Sequence, residues 1–169
     1  MTTAFTELLL GKDLRSISRS KEVIGLVYDQ ASFDELFGLL FHHERLLIIR
    51  AADAVEKITR HRPEFLEPHK TQLLSLLHGS VHKELKWHIA QLIPRVKLTI
   101  DEAADVWHTL SYWLLNPNES KIVRVNALQG LYDFAKQYPE LEHKLAEEVQ
   151  HVRHEQIPSL QARIRKLKL

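Results

Sequence analysis

An all-α fold is what this sequence predicts, and three observations carry the prediction. Apolar residues recur at helical spacing along the chain, and no stretch alternates apolar and polar positions as a half-buried strand would. Breakers are scarce, with 5 Gly and 6 Pro among 169 residues. The breaks that do occur are short: "HHE" (42–44), "HGSV" (78–81), "NPNE" (116–119) and "EQI" (155–157) each join one helical pattern to the next.

The spacing predicts helices over 3–10, 20–29, 31–42, 44–61, 68–78, 82–96, 100–116, 119–138, 140–155 and 157–168. Ser32 with Glu35 and Thr99 with Glu102 have the spacing of capping boxes, in which side chains satisfy otherwise unpaired helix-end amides. Pro68 and Pro158 suit a first helical turn, where a missing N–H costs nothing. In 44–61, Leu47, Ile48, Ala51, Val55 and Ile58 form the apolar side; Arg50, Asp53, Lys57 and Arg60 lie opposite, spaced for ion pairs such as Arg50 with Asp53. In 82–96, Leu85, Ile89, Leu92 and Val96 form a narrow seam. Trp87 points nearly opposite, beside Ala90, Gln91 and Pro94, with Lys86 and His88 on the flanks. In 100–116, Ala103, Val106, Trp107, Leu110, Trp113 and Leu114 share one side, so two of the three tryptophans belong to the core. In 119–138, Asn126, Gln129 and Asp133 draw a narrow polar stripe on an otherwise apolar cylinder. Arg124 sits among apolar residues and must find a carboxylate or a carbonyl. In 140–155, Leu141, Leu145, Val149 and Val152 face inward. The final segment, "QARIRKLKL", is expected to cover the core with Ala162, Ile164 and Leu167 while its basic side chains stay wet.

Composition narrows the function. Hydrophobic residues make up 44% and charged residues 27%, ordinary for a soluble globular protein, and the length suits a single domain over 1–169. With 23 Lys+Arg against 22 Asp+Glu and a net charge of +1, no global field draws a phosphate backbone or an anionic membrane. No cysteine is present, which removes disulfides, Cys-ligated zinc and thiol catalysis. "MTTAFTELLLGKD" lacks the basic start and long apolar run of a secretory leader, and Glu7 interrupts it. No window reaches the ~18 consecutive apolar residues of a membrane span. A cytoplasmic location is therefore expected, without membrane association.

Placed beneath one another, "DAVEKI" (53–58), "IAQLIP" (89–94) and "NALQGL" (126–131) align on Ala54, Ala90 and Ala127, a period within the solenoid range. Each unit is then a helical pair (31–61, 68–96, 100–138, 140–168, with a partial unit before them) that must stack to bury its apolar face. This pattern resembles HEAT-like repeats of the armadillo type. Ala54, Ala90 and Ala127 match the small inner-helix positions, and Arg124 looks like the buried arginine that recurs in such repeats. Ile49 or Arg50 and Lys86 occupy the equivalent place in the other units, and Pro94 falls late in an inner helix, where the pattern departs. The resemblance implies a right-handed α-solenoid of about four antiparallel helix pairs.

No chemistry-bearing motif rises above this frame. The 11 His include no HExxH motif. Glu148 and His151 have di-iron spacing but no second copy, and His151, His154 and Glu147 are placed toward solvent. Asp105, His108 and Tyr112 share the outer side of their helix without a nucleophile or oxyanion donor. No Gly-rich phosphate loop occurs. We therefore expect no cofactor, no metal and no catalytic residue. The expected role is a non-catalytic protein-interaction module binding a protein partner through Trp87, Gln91, Arg50, Asp53, Asn126 and Gln129 on the inner helices. The alternative is nucleic-acid binding, in a protein resembling HEAT-like DNA glycosylases, which needs a basic groove with a stacking platform. Mixed charge on the inner helices weighs against it.

Overall fold

The computed structural model describes residues 4–10 and 16–169. Among them run ten α-helices: α1 (Ala4–Leu10), α2 (Ser16–Leu26), α3 (Gln30–Gly38), α4 (Arg45–Thr59), α5 (Lys70–Gly79), α6 (Lys83–Leu92), α7 (Ile100–Leu115), α8 (Lys121–Gln137), α9 (Glu142–Arg153) and α10 (Pro158–Leu167). The fold is all-α, as the periodicity requires. Residue 3, where the first expected helix begins, lies outside the described residues.

Helix ends follow local chemistry. Thr99 caps α7, accepting from the Glu102 amide at 3.2 Å while the Glu102 carboxylate accepts from the Thr99 amide at 2.8 Å. Pro158 occupies the first turn of α10. Two expectations need correction. The box at α3 is built by Asp29 and not by Ser32 with Glu35: Asp29 Oδ1 accepts from the Ser32 amide at 2.9 Å, and Ser32 Oγ accepts from the Asp29 amide at 3.2 Å. Ser32 is thus already the third helical residue; its hydroxyl also donates to Asp29 Oδ1 at 2.6 Å, and the hydroxyl and amide bonds hold the Asp29 carboxyl below its ordinary range. Pro68 does not open α5; it falls within a 3-10 segment, Pro63–His69, that buries Phe65 and Leu66. Pro94 ends α6 early, because it has no N–H to continue the ladder, and Ile93–Arg95 form a 3-10 turn.

The chain divides into two compact units, Met1–Pro68 and His69–Leu169. In the first, α4 packs against α1, α2 and α3. Leu47, Ala51 and Val55 of α4 are fully buried with Phe33, Leu36 and Phe37 of α3, and the Phe33 and Phe65 rings lie 5.2 Å apart. In the second, the helices pair as α5 with α6, α7 with α8 and α9 with α10. Neighbouring pairs meet in two layers, α6–α8–α10 and α5–α7–α9. The expected core face of α7 is buried throughout, including Trp107 and Trp113. On α10 the covering residues are Leu160 and Ile164, with Leu167 half-buried; Ala162 is exposed, because the 160–164–167 spacing keeps one face and residue 162 lies off it.

Small residues set how closely the α6–α8 layer packs. Ala90 and Ala127 are fully buried. A Cβ added to Gly130 would stand 2.6 Å from the Ala90 carbonyl oxygen and 3.1 Å from Leu110 Cδ1. Glycine is required there because α6 backbone fills the place of a side chain.

Candidate functional site

In the second unit, two ionic bridges of the same design tie α6 and α8 to the turns of the next helical pair. Lys86, early in α6, reaches Glu119 in the α7–α8 turn at 2.6 Å. Arg124, early in α8, reaches Glu155 in the α9–α10 turn through two bonds of 2.8 and 2.6 Å, and its Nε donates to the Leu114 carbonyl at 2.7 Å. Arg124 is 1% exposed, so this pairing is what makes its burial tolerable. The structural role expected of Arg124 holds. Lys86 performs the same office one pair earlier, where sequence alone suggested a departure from the pattern. In the first unit the equivalent Arg50 donates to the Leu9 carbonyl, near the end of α1, where a cation meets unsatisfied helix-end carbonyls.

The remaining candidates fall into the two units. Asp53 is held by Lys57, one turn further along α4, at 2.6 Å. Trp87 is half-buried, and Gln91 donates to its backbone carbonyl at 3.2 Å. The Trp87 ring stacks on His88 with centroids 4.0 Å apart, and His88 is buried. The expectation that Lys86, Trp87 and His88 diverge onto separate faces is corrected for the last two: Cβ atoms diverge by ~100°, but two large planar rings reach back across that gap. Asn126 is 7% exposed, its amide committed to the Ile122 carbonyl at 2.8 Å.

Gln129 holds two partners at once. Its Nε2 donates to Asp133 Oδ1 at 2.9 Å, and its Oε1 accepts from Arg163 Nη1 of α10 at 2.8 Å. Burial raises the Asp133 carboxyl above its ordinary range, against the Gln129 bond and the charges of Lys136, Arg95 and Arg163. Burial lowers Arg163 from the usual arginine range, opposed by the Asp133 charge. Sequence reading left Arg163 among the wet basic residues. The signal that would have found it is its place three residues after Leu160 and one before Ile164, beside the buried seam.

On α7, Asp105, His108 and Tyr112 are exposed, and Asp105 meets His78 at 2.8 Å. Glu148 of α9 is turned inward: its Oε1 accepts from Trp107 Nε1 at 3.0 Å and from Ser111 Oγ, and burial raises its carboxyl above the ordinary range. His151, His154 and Glu147 are exposed. Among the described residues no group of three His, Asp or Glu is placed to hold a metal ion. Nor is any helix long and apolar enough to cross a membrane.

A family model described as a HEAT repeat domain matches residues 11–168. The chain belongs to the HEAT repeat family. Pairwise helix packing, small inner-helix residues and an arginine bridged between neighbouring pairs are the local features that accompany that membership. Comparison with curated proteins and with solved structures finds no match.

Proposed function

We propose that this HEAT repeat domain is a non-catalytic protein-interaction module whose recognition residues are Trp87, Gln91, Gln129 and Asn126 on α6 and α8, with Arg50 and Asp53 on α4. Repeat arrays offer extended helix faces to partners, and rigid aromatics supply much of the energy at such interfaces. The observation that carries the reading is Trp87, a half-buried indole stacked on the buried His88 ring. Such a side chain loses little freedom on binding, which favours it as an anchor. Asn126 contributes by shaping the surface, since little of it reaches solvent. Arg50 and Asp53 contribute the mixed charge that recognises polar groups by hydrogen bonding.

The test is comparative capture from cell extract with the wild-type chain and Trp87→Ala, both checked for unchanged helix content. The variant should lose a protein that the wild type retains, and a photo-reactive residue at Gln91 should cross-link that same protein. An identical set of captured proteins, with no cross-link from position 91, would refute the proposed surface.

A further inference from the structure

Arg124 and Arg163 show the two ways this chain treats a desolvated guanidinium. Arg124 is fully buried and neutralised by two bonds to the Glu155 carboxylate. Arg163 is half-buried, yet its hydrogen-bond partner among the described residues is the neutral Gln129 amide. Its charge is therefore partly stripped of water without a carboxylate in contact, and its other N–H donors remain available. A cation in that state gains more from an incoming carboxylate than one that is fully hydrated.

Its geometry is also fixed in advance. Asp133 takes the Gln129 N–H, which turns Gln129 Oε1 toward Arg163 and settles which way the amide points. A side chain already held in place loses less entropy when a ligand arrives. The surroundings are cationic on balance, with Arg95 and Lys136 also close enough to act on the neighbouring carboxylate, Asp133. Arg163, Arg165, Lys166 and Lys168 lie on or beside α10, and no acidic residue follows Glu155. The chain as a whole is only +1, so the residues up to Glu155 are together net negative, and the positive charge is concentrated at α10.

We propose that Arg163, oriented by the Asp133–Gln129 relay, is a recognition residue for a glutamate or aspartate side chain on a segment of a partner protein. This rests on the interaction-module reading and supplies the chemistry of its ligand. A nucleic acid is the less fitting occupant. A phosphate backbone is held by a continuous row of cations, and here the Asp133 carboxylate lies among the charges of Lys136, Arg95 and Arg163.

The probe is a fluorescent peptide of alternating Glu and Leu, titrated by anisotropy at low salt against the full chain. A single-stranded oligonucleotide of equal charge is titrated in parallel. The peptide should bind, and Arg163→Gln should weaken it by about tenfold, the loss expected for a charge-assisted bond. Arg165→Gln removes the same charge from an exposed position of α10 and should weaken it far less. Circular dichroism and the melting temperature establish that both variants fold. The proposal is overturned if the peptide does not bind, if the two variants weaken it equally, or if the oligonucleotide binds more tightly and with the same dependence on Arg163. Extract capture separates this idea from the broader one. A partner lost by Trp87→Ala but kept by Arg163→Gln leaves the interaction module standing and removes the acidic-segment site.

Discussion

Arg124 links three elements of the second unit. Its guanidinium ties α8 to the end of α7 through Leu114 and to the α9–α10 turn through Glu155. Glu155→Gln would leave the cation buried with only neutral acceptors. Removing one partner of a buried ion pair costs about 3–5 kcal/mol, and the partial exposure of Glu155 brings the expected loss to about 2–3 kcal/mol. Urea denaturation at pH 7 measures it. The pH dependence has a definite sign. Arg124 holds the Glu155 carboxyl below its ordinary value of 4.5, so the stabilisation is complete above that value. It is lost as pH falls through the lower, folded-state value. The stability difference between wild type and Glu155→Gln should therefore narrow below pH ~4 and be largest at neutrality.

Helix α9 carries a second carboxylate that titrates in the opposite sense. Burial raises Glu148, against the Ser111 and Trp107 bonds and the Lys144 charge, while Glu147 pushes the same way as burial. A raised folded-state value means that stability is present below the ordinary carboxylate range and is lost as pH rises through the folded value. Glu148→Gln keeps an oxygen for Trp107 and Ser111 but cannot ionise. Its stability relative to wild type should rise as pH climbs above the ordinary carboxylate value of 4.5, as read from urea midpoints; a flat difference would show that Glu148 is not desolvated. At this scale much was legible in advance, because periodicity is a property of consecutive residues. The core faces of α4, α7 and α9 and the Thr99–Glu102 box follow from spacing alone. The Asp29 cap did not, because Ser32 offers a plausible cap of its own and the choice is settled by where the helix starts. Nothing local to Glu148 says that its partners lie 37 and 41 residues earlier.

Over the whole molecule the repeat was legible as a register of small residues, Ala54, Ala90 and Ala127, all fully buried. The bridges that span neighbouring pairs were legible only as a requirement that Arg124 find a partner. Lys86 with Glu119 and Arg124 with Glu155 join residues 33 and 31 apart, a regularity that appears only once the pairs are stacked. The candidate surface was legible in part for the same reason: Trp87 and Gln129 lie on recognisable faces, whereas the Arg163 contact comes from another helix. Close stacking itself gives the sharpest test of the repeat packing. Gly130 of α8 faces the Ala90 carbonyl, and a methyl there would sit 2.6 Å from that oxygen. Alanine at a helix interior gains about 1 kcal/mol over glycine from propensity. Overpacking a filled site costs about 1–3 kcal/mol, and backbone atoms yield least readily. Gly130→Ala should therefore lose about 1–2 kcal/mol net, lowering the melting temperature by about 2–4 °C per kcal/mol. Gly79 of α5 has no atom within 4 Å of the same added methyl and no positive φ. Gly79→Ala should leave the melting temperature unchanged or raise it. Identical responses from the two variants would mean that α6 and α8 do not approach at Ala90.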